Sequence, residues 1–184
     1  KSFNVLSEAM LAELQRLLDQ IGADPAARAV VIGAEGKAFC AGHDLKQMKA
    51  SPRLDYYQAL FAQCSRMMLS ILRLPVPVLA RVQRLATAAG CQLVAQCDLA
   101  VAAQGARFGV NGIDVGLFCS TPSVPLVRNI APKQAMEMLL TGGFIGAEEA
   151  QARGLVNRVV PPEQLDETVE ALVGAILAKP RAAI

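Results

Sequence analysis

Apolar residues recur along this chain at two different periods, and the switching between them predicts alternating helices and strands. Residues 7–21 carry Met10, Leu11, Leu14, Leu17, Leu18 and Ile21 at the spacing of one helix face, with Ser7 placed to cap it. Residues 29–32 (AVVI) form a short unbroken apolar run, the pattern of a strand buried on both faces. The stretch GAEGKAFCAGHDLKQM that follows reads as a loop of small residues ending in a helix near Leu45. Residues 54–74 return to helical spacing through Leu60, Phe61, Cys64, Met67, Met68, Ile71 and Leu72, until Pro75 and Pro77 stop it.

The second half repeats the alternation. Val78, Leu79, Ala80 and Val82 form a strand, the small residues 86–90 a turn, and Cys91, Leu93, Val94 and Ala95 the face of a helix. Residues 98–102 and 106–110 read as strands, Asn111-Gly112 as a tight turn, and residues 116–125, with two prolines, as irregular chain. A helix over 133–140 stops at Gly142-Gly143; a helix over 147–153, a strand over 155–160 and a helix over 162–177, with Leu165, Val169, Leu172, Val173 and Ile176 inward, complete the chain. This order predicts a single α/β domain over residues 1–184 with largely parallel strands.

Composition narrows the function. With 53% apolar and 18% charged residues the chain is globular, and a formal charge of +2 with scattered basic residues provides no footprint for nucleic acid. No apolar run reaches membrane-spanning length. Five cysteines include no C-x-x-C pair, and His43 is the only histidine, so neither a zinc site nor a disulfide framework is indicated. Reduced thiols imply a cytosol-like compartment. The chain begins at Lys1 partway into a pattern, which suggests that a leading segment is missing.

One internal echo carries the chemistry. AVVI then AFCAGHDL, and PVLARV then ATAAGCQL, each run from a strand through small residues into a helix. Such corners let a ligand approach the backbone, and the first N–H groups of the following helix lack intrahelical acceptors. Two corners facing one another would supply two donors to a carbonyl oxygen that becomes an enolate. A nucleophile built from Cys40 and His43 is a weaker alternative, since neither an orienting partner nor an elbow motif accompanies them.

Taken in order, KAFCAGHDLKQM, LATAAGCQLVAQCDLAVA, ARFGV and IGAEEAQARGLVNRVVP resemble the enoyl-CoA hydratase/isomerase, or crotonase, superfamily over nearly the whole chain. The resemblance implies a crotonase-like fold of repeated β-β-α turns, trimers or dimers of trimers, coenzyme A thioesters as substrates and no cofactor beyond that coenzyme. It further implies a cytoplasmic location, or the mitochondrial matrix in a eukaryote, and terminal strand and helix segments not present here. Position by position, it places oxyanion donors at the amides of His43 and Ala89, with Ala41, Gly42 and Asp44 flanking the substrate. Lys37 and Lys46 fall along the coenzyme A groove, and Lys1, Ser2 and Phe3 at its adenine side.

The departures from the family are as informative. Two-glutamate hydratases use one carboxylate for the incoming water and one for the α-carbon; the matching positions here are Gln92 and Gly112. An amide can orient water but cannot take its proton, and glycine offers no side chain. Ser120 stands where other branches place an acid, and Asp114 is the nearest carboxylate in sequence. These substitutions lead to two expectations: an enzyme of lyase or isomerase type that acts by enolate stabilisation, or an acyl-CoA binding protein that is weak or inactive in catalysis.

Overall fold

The computed structural model describes residues 3–184; Lys1 and Ser2 lie outside the described residues. The helices are α1 (Glu8–Ala23), α2 (Leu45–Ala50), α3 (Leu54–Arg73), α4 (Ala89–Gln96), α5 (Ser120–Asn129), α6 (Pro132–Thr141), α7 (Ala147–Arg153) and α8 (Leu165–Leu177). The strands are β1 (Val30–Gly33), β2 (Ala38–Cys40), β3 (Val78–Val82), β4 (Leu85–Thr87), β5 (Leu99–Ala103), β6 (Arg107–Gly109), β7 (Phe144–Gly146) and β8 (Arg158–Val160). They form two four-stranded sheets, one ordered β1-β3-β5-β8 and the other β2-β4-β6-β7. Three successive strand pairs thus place one strand in each sheet. Every neighbouring pair is parallel except β6 with β7.

The core lies between these sheets and the helices that cover them. All eight residues of α4 are buried, which suits a helix that is apolar around its whole circumference and carries only Gln92 and Gln96 as polar side chains. Ser7 caps α1 by accepting from the Met10 N–H, and Leu11 and Leu18 are its buried residues. On α3 the buried face comprises Leu60, Cys64, Met67, Met68 and Ile71.

Several expectations are corrected. β1 alternates half-buried with exposed residues and leaves Val31 42% exposed, because it is an edge strand with one face open. The small-residue stretches conceal β2 and β4, three-residue strands too short to establish a period. Asn111-Gly112 opens a 3-10 turn (Asn111–Val115) in place of a hairpin. The segment read as irregular contains α5, with Pro122 in its first turn, where no amide partner is needed, and Pro125 further in. Met10, Leu17 and Leu72 face outward. The last strand begins only at Arg158, and a 3-10 turn (Pro162–Gln164) precedes α8.

Candidate active site

The first corner follows β2. Its backbone is tied to the extended segment before α1: the Ala41 N–H donates to the Phe3 carbonyl at 3.0 Å, and the Leu6 N–H donates to the Gly42 carbonyl at 2.8 Å. Gly42 adopts φ +83°, and Asp44 then caps α2, accepting from the Lys46 and Gln47 amides at 2.9 and 3.2 Å. The second corner follows β4. Ala88 holds φ 51° and ψ −121°, a conformation ordinarily left to glycine, and its N–H donates to the Gly109 carbonyl at 2.9 Å. α4 starts at the next residue.

The two corners touch. A Cβ built on Gly42 would lie 2.9 Å from the Ala88 methyl and 3.3 Å from the Ala89 nitrogen. One built on Gly90 would lie 2.0 Å from the Cys40 carbonyl oxygen. The amides of His43 and Ala89 therefore leave neighbouring backbones, and among the described residues neither donates to a backbone acceptor.

A cavity of about 400 Å³ opens against this junction. One wall is Ala41, His43, Thr87, Ala88 and Ala89; α2 and α3 contribute Leu45, Met48 and Phe61; Asn111, Gly112 and residues from Val115 to Pro122 close the far side. Its polar groups are few. Thr87 Oγ1 donates to Asn111 Oδ1 at 2.5 Å, and the Gly112 N–H donates to Cys119 Sγ at 3.3 Å. Ser120 and Thr121 add hydroxyls, and among the described residues no aspartate or glutamate lines the cavity.

The His43 ring meets the edge of Phe61 at 5.1 Å between centroids. Burial lowers its pKa below the usual 6.5, partly opposed by the Leu6 backbone, and its buried Nδ1 has no hydrogen-bond partner among the described residues.

Five of the residues singled out from sequence come together here: Ala41, His43, Ala89, Gly112 and Ser120 all line the cavity. Gln92 does not line it; it is buried within α4, its Oε1 without a partner. Gly42 is buried behind the first corner. The carboxylate of Asp44 is committed to the helix cap. Lys37 and Lys46 are exposed on either side of that corner, and Phe3 is half exposed. Lys1 and Ser2, expected at the adenine side, fall outside the described residues.

Asp114 is exposed and faces Gly142, whose built Cβ would approach its Oδ1 to 2.7 Å. Asp98 serves the fold, accepting from the Val78 N–H at 2.8 Å. Cys40 does not line this cavity, and burial pushes its thiol up to about 11, which removes the Cys40–His43 nucleophile. No cluster of three or more His, Cys, Asp or Glu suited to a metal occurs among the described residues.

Sequence reasoning missed Phe61 and Thr87 as parts of the cavity and read Asn111 only as a turn residue. The hydroxyl within ATAAG, placed just before the second corner, was the available signal for Thr87.

Stacked strand-strand-helix turns with two touching corners beside an apolar cleft define a crotonase-fold protein. The chain belongs to the enoyl-CoA hydratase/isomerase family, whose sequence model matches residues 1–184. Within that family it falls with the subgroup of enoyl-CoA hydratase domain-containing protein 3. It is 49% identical to that mitochondrial protein of Xenopus laevis over 162 residues, covering 88% of this chain and 55% of the relative. Against the Rattus norvegicus protein it is 44% identical over 181 residues, covering 98% and 60%. The chain thus spans between 55% and 60% of the length of these two curated relatives. The crystal structure of an enoyl-CoA hydratase from Mycobacterium smegmatis is 61% identical with a TM-score of 0.97, over 98% of this chain and 70% of that one. The human domain-containing protein 3 structure gives 44% identity and a TM-score of 0.93, over 97% and 70%.

Proposed function

We propose that the cleft binds the acyl thioester of coenzyme A and polarises its carbonyl between the amides of His43 and Ala89, so that negative charge developing on the oxygen is held by backbone alone. The observation that carries this reading is the contact of the two corners, since His43 and Ala89 line one wall of one cavity and their amides have no backbone acceptor among the described residues. Enolate stabilisation of this kind suits lyase or isomerase chemistry on an acyl-CoA. Lys37 and Lys46, exposed beside the first corner, would meet the phosphates of the coenzyme as point charges on this reading. Lys1, Ser2 and Phe3 belong to the same reading at the adenine side, although only Phe3 lies within the described residues.

The cleft is poorly equipped for hydration. Each general acid or base contributes about 10²- to 10⁴-fold and one oxyanion donor about 10²- to 10³-fold. With Gln92 outside the cavity lining and Gly112 without a side chain, binding and polarisation survive while water addition is expected to fall by several orders of magnitude. The wall free of carboxylates supports the second reading as well, an acyl-CoA binding or regulatory protein of fatty-acid metabolism. Assembly as a homotrimer or dimer of trimers, and a compartment that is cytoplasmic or, in a eukaryote, the mitochondrial matrix, belong to the same proposal. Two of the relatives above carry the word mitochondrial in their names.

The test pairs turnover of crotonyl-CoA, followed as loss of the conjugated thioester absorbance, with a calorimetric titration of acetyl-CoA. Binding with turnover supports the enzyme, binding without turnover supports the binding protein, and absence of binding removes both.

A further inference from the structure

The polar face of the cavity is one-sided, and Asn111 makes it so. Its carboxamide has an oxygen and an NH₂ of nearly the same shape, so which end faces Thr87 decides what the cavity can recognise. The Thr87–Asn111 contact of 2.5 Å falls in the range of an O–H···O bond and is short for one involving an amide nitrogen. The oxygen is thus the end that Thr87 engages. The NH₂ end has no hydrogen-bond partner among the described residues, and it is absent from the buried polar atoms left unpaired, so it is open to solvent on a residue that lines the cavity. With no aspartate or glutamate among the described lining residues, no carboxylate competes for those donors.

We propose that Asn111 is a specificity-determining residue that selects acyl thioesters whose chain carries an oxygen acceptor, over those with a plain hydrocarbon chain. Thr87 is its positioning residue: by holding the carboxamide oxygen it keeps both N–H groups turned to the ligand. The inference rests on the thioester reading given above and deepens it. A saturated chain would bury these donors without a partner, whereas an acyl oxygen satisfies one of them. The oxygen can be a neutral hydroxyl or part of a carboxylate, and the two are told apart by experiment. One hydrogen bond of ordinary strength corresponds to about a 2- to 12-fold preference, and a charge-assisted one to more.

The experiment is a calorimetric titration of the full-length protein with butyryl-CoA, 3-hydroxybutyryl-CoA and malonyl-CoA, repeated on Asn111→Ala, Asn111→Asp and Thr87→Val. The wild type is expected to bind one of the two oxygenated thioesters more tightly than butyryl-CoA, by about 2- to 12-fold for 3-hydroxybutyryl-CoA or by more than about 12-fold for malonyl-CoA. Preference for 3-hydroxybutyryl-CoA identifies a neutral hydroxyl, and preference for malonyl-CoA a carboxylate. Asn111→Ala should bring the ratio close to one. Asn111→Asp keeps the shape but replaces donors by acceptors, and should turn the preference against malonyl-CoA. Thr87→Val should weaken the ratio without abolishing binding of butyryl-CoA, which a loss of stability alone would not do. Equal affinities in the wild type, or a preference that persists in Asn111→Ala, would overturn the inference while leaving the thioester reading intact. Failure of all three thioesters to bind would instead remove the reading beneath it.

Discussion

The α-carbon hydrogen of Gly90 points at the carbonyl oxygen of Cys40, so closely that a methyl group there would stand 2.0 Å from it. This is the contact by which the second corner is pressed against the first, and backbone on one side leaves nothing flexible to yield. Gly90→Ala is expected to push the corners apart, with a loss of about 3 kcal/mol or more of stability and of most acyl-CoA affinity. Gly174→Ala provides the contrast, since it sits within α8 with nothing within 4 Å of its built Cβ. That variant should gain about 0.5–1 kcal/mol. Urea denaturation of both checks the pair, and equal behaviour would contradict the packing described.

The sequence position of Gly112 invites the idea of restoring an acid there. Its built Cβ would meet the Leu117 carbonyl oxygen at 2.3 Å and Cys119 Sγ at 2.8 Å, so the loop before α5 already occupies the space. Gly112→Glu is expected to destabilise the protein by about 1–3 kcal/mol and to leave hydration of crotonyl-CoA no faster. Thermal melting and the absorbance assay read the two effects, and a variant that hydrates faster at unchanged stability would show the loop free to move.

How much of this was legible beforehand depends on scale. Long periodic segments such as residues 54–74 declare themselves, since burial of Leu60, Cys64, Met67 and Ile71 imposes the helical period directly. β2 and β4 do not, because strands of three residues are specified by pairing with each other and not by their own pattern. α5 hid behind Pro122 and Pro125, residues that oppose a helix everywhere except near its start. For the site, the two small-residue corners were readable from their repetition along the chain, and only the family resemblance singled out His43 and Ala89 within them. The bond between Thr87 and Asn111, separated by 24 positions, was not, because only the pairing of β4 with β6 brings them together.

His43 is the only histidine of the 184 residues, which isolates its titration. Burial holds its folded pKa below 6.5, the value it recovers on unfolding. Below about pH 6.5 the unfolded chain therefore binds a proton that the folded chain refuses, and stability declines as the pH falls toward the folded pKa. Above 6.5 this contribution is absent. The slope should reach at most about 1.4 kcal/mol per pH unit between pH 6.5 and 5, and His43→Gln should flatten it. Urea midpoints measured across that range test this, and parallel curves for wild type and variant would refute it.

The five cysteines differ in what surrounds them, and that difference reports on the cavity. Burial pushes the thiols of Cys40, Cys64 and Cys91 up to about 11, 12 and 12, and that of Cys97 upward as well, so few are ionised near neutrality. Cys119 is also raised, but the Gly112 N–H opposes the shift, and it alone of the five lines the cavity at the two corners. Iodoacetamide at pH 8 should therefore modify Cys119 first and the others only as the chain unfolds, with the first phase lost in Cys119→Ser. If acyl-CoA occupies the cavity, the same phase should slow about tenfold at a ligand concentration ten times Kd, by simple mass action. Mass spectrometry of the modified peptides distinguishes this from uniform labelling, and a Cys119 rate indifferent to ligand would show that the thioester lies elsewhere.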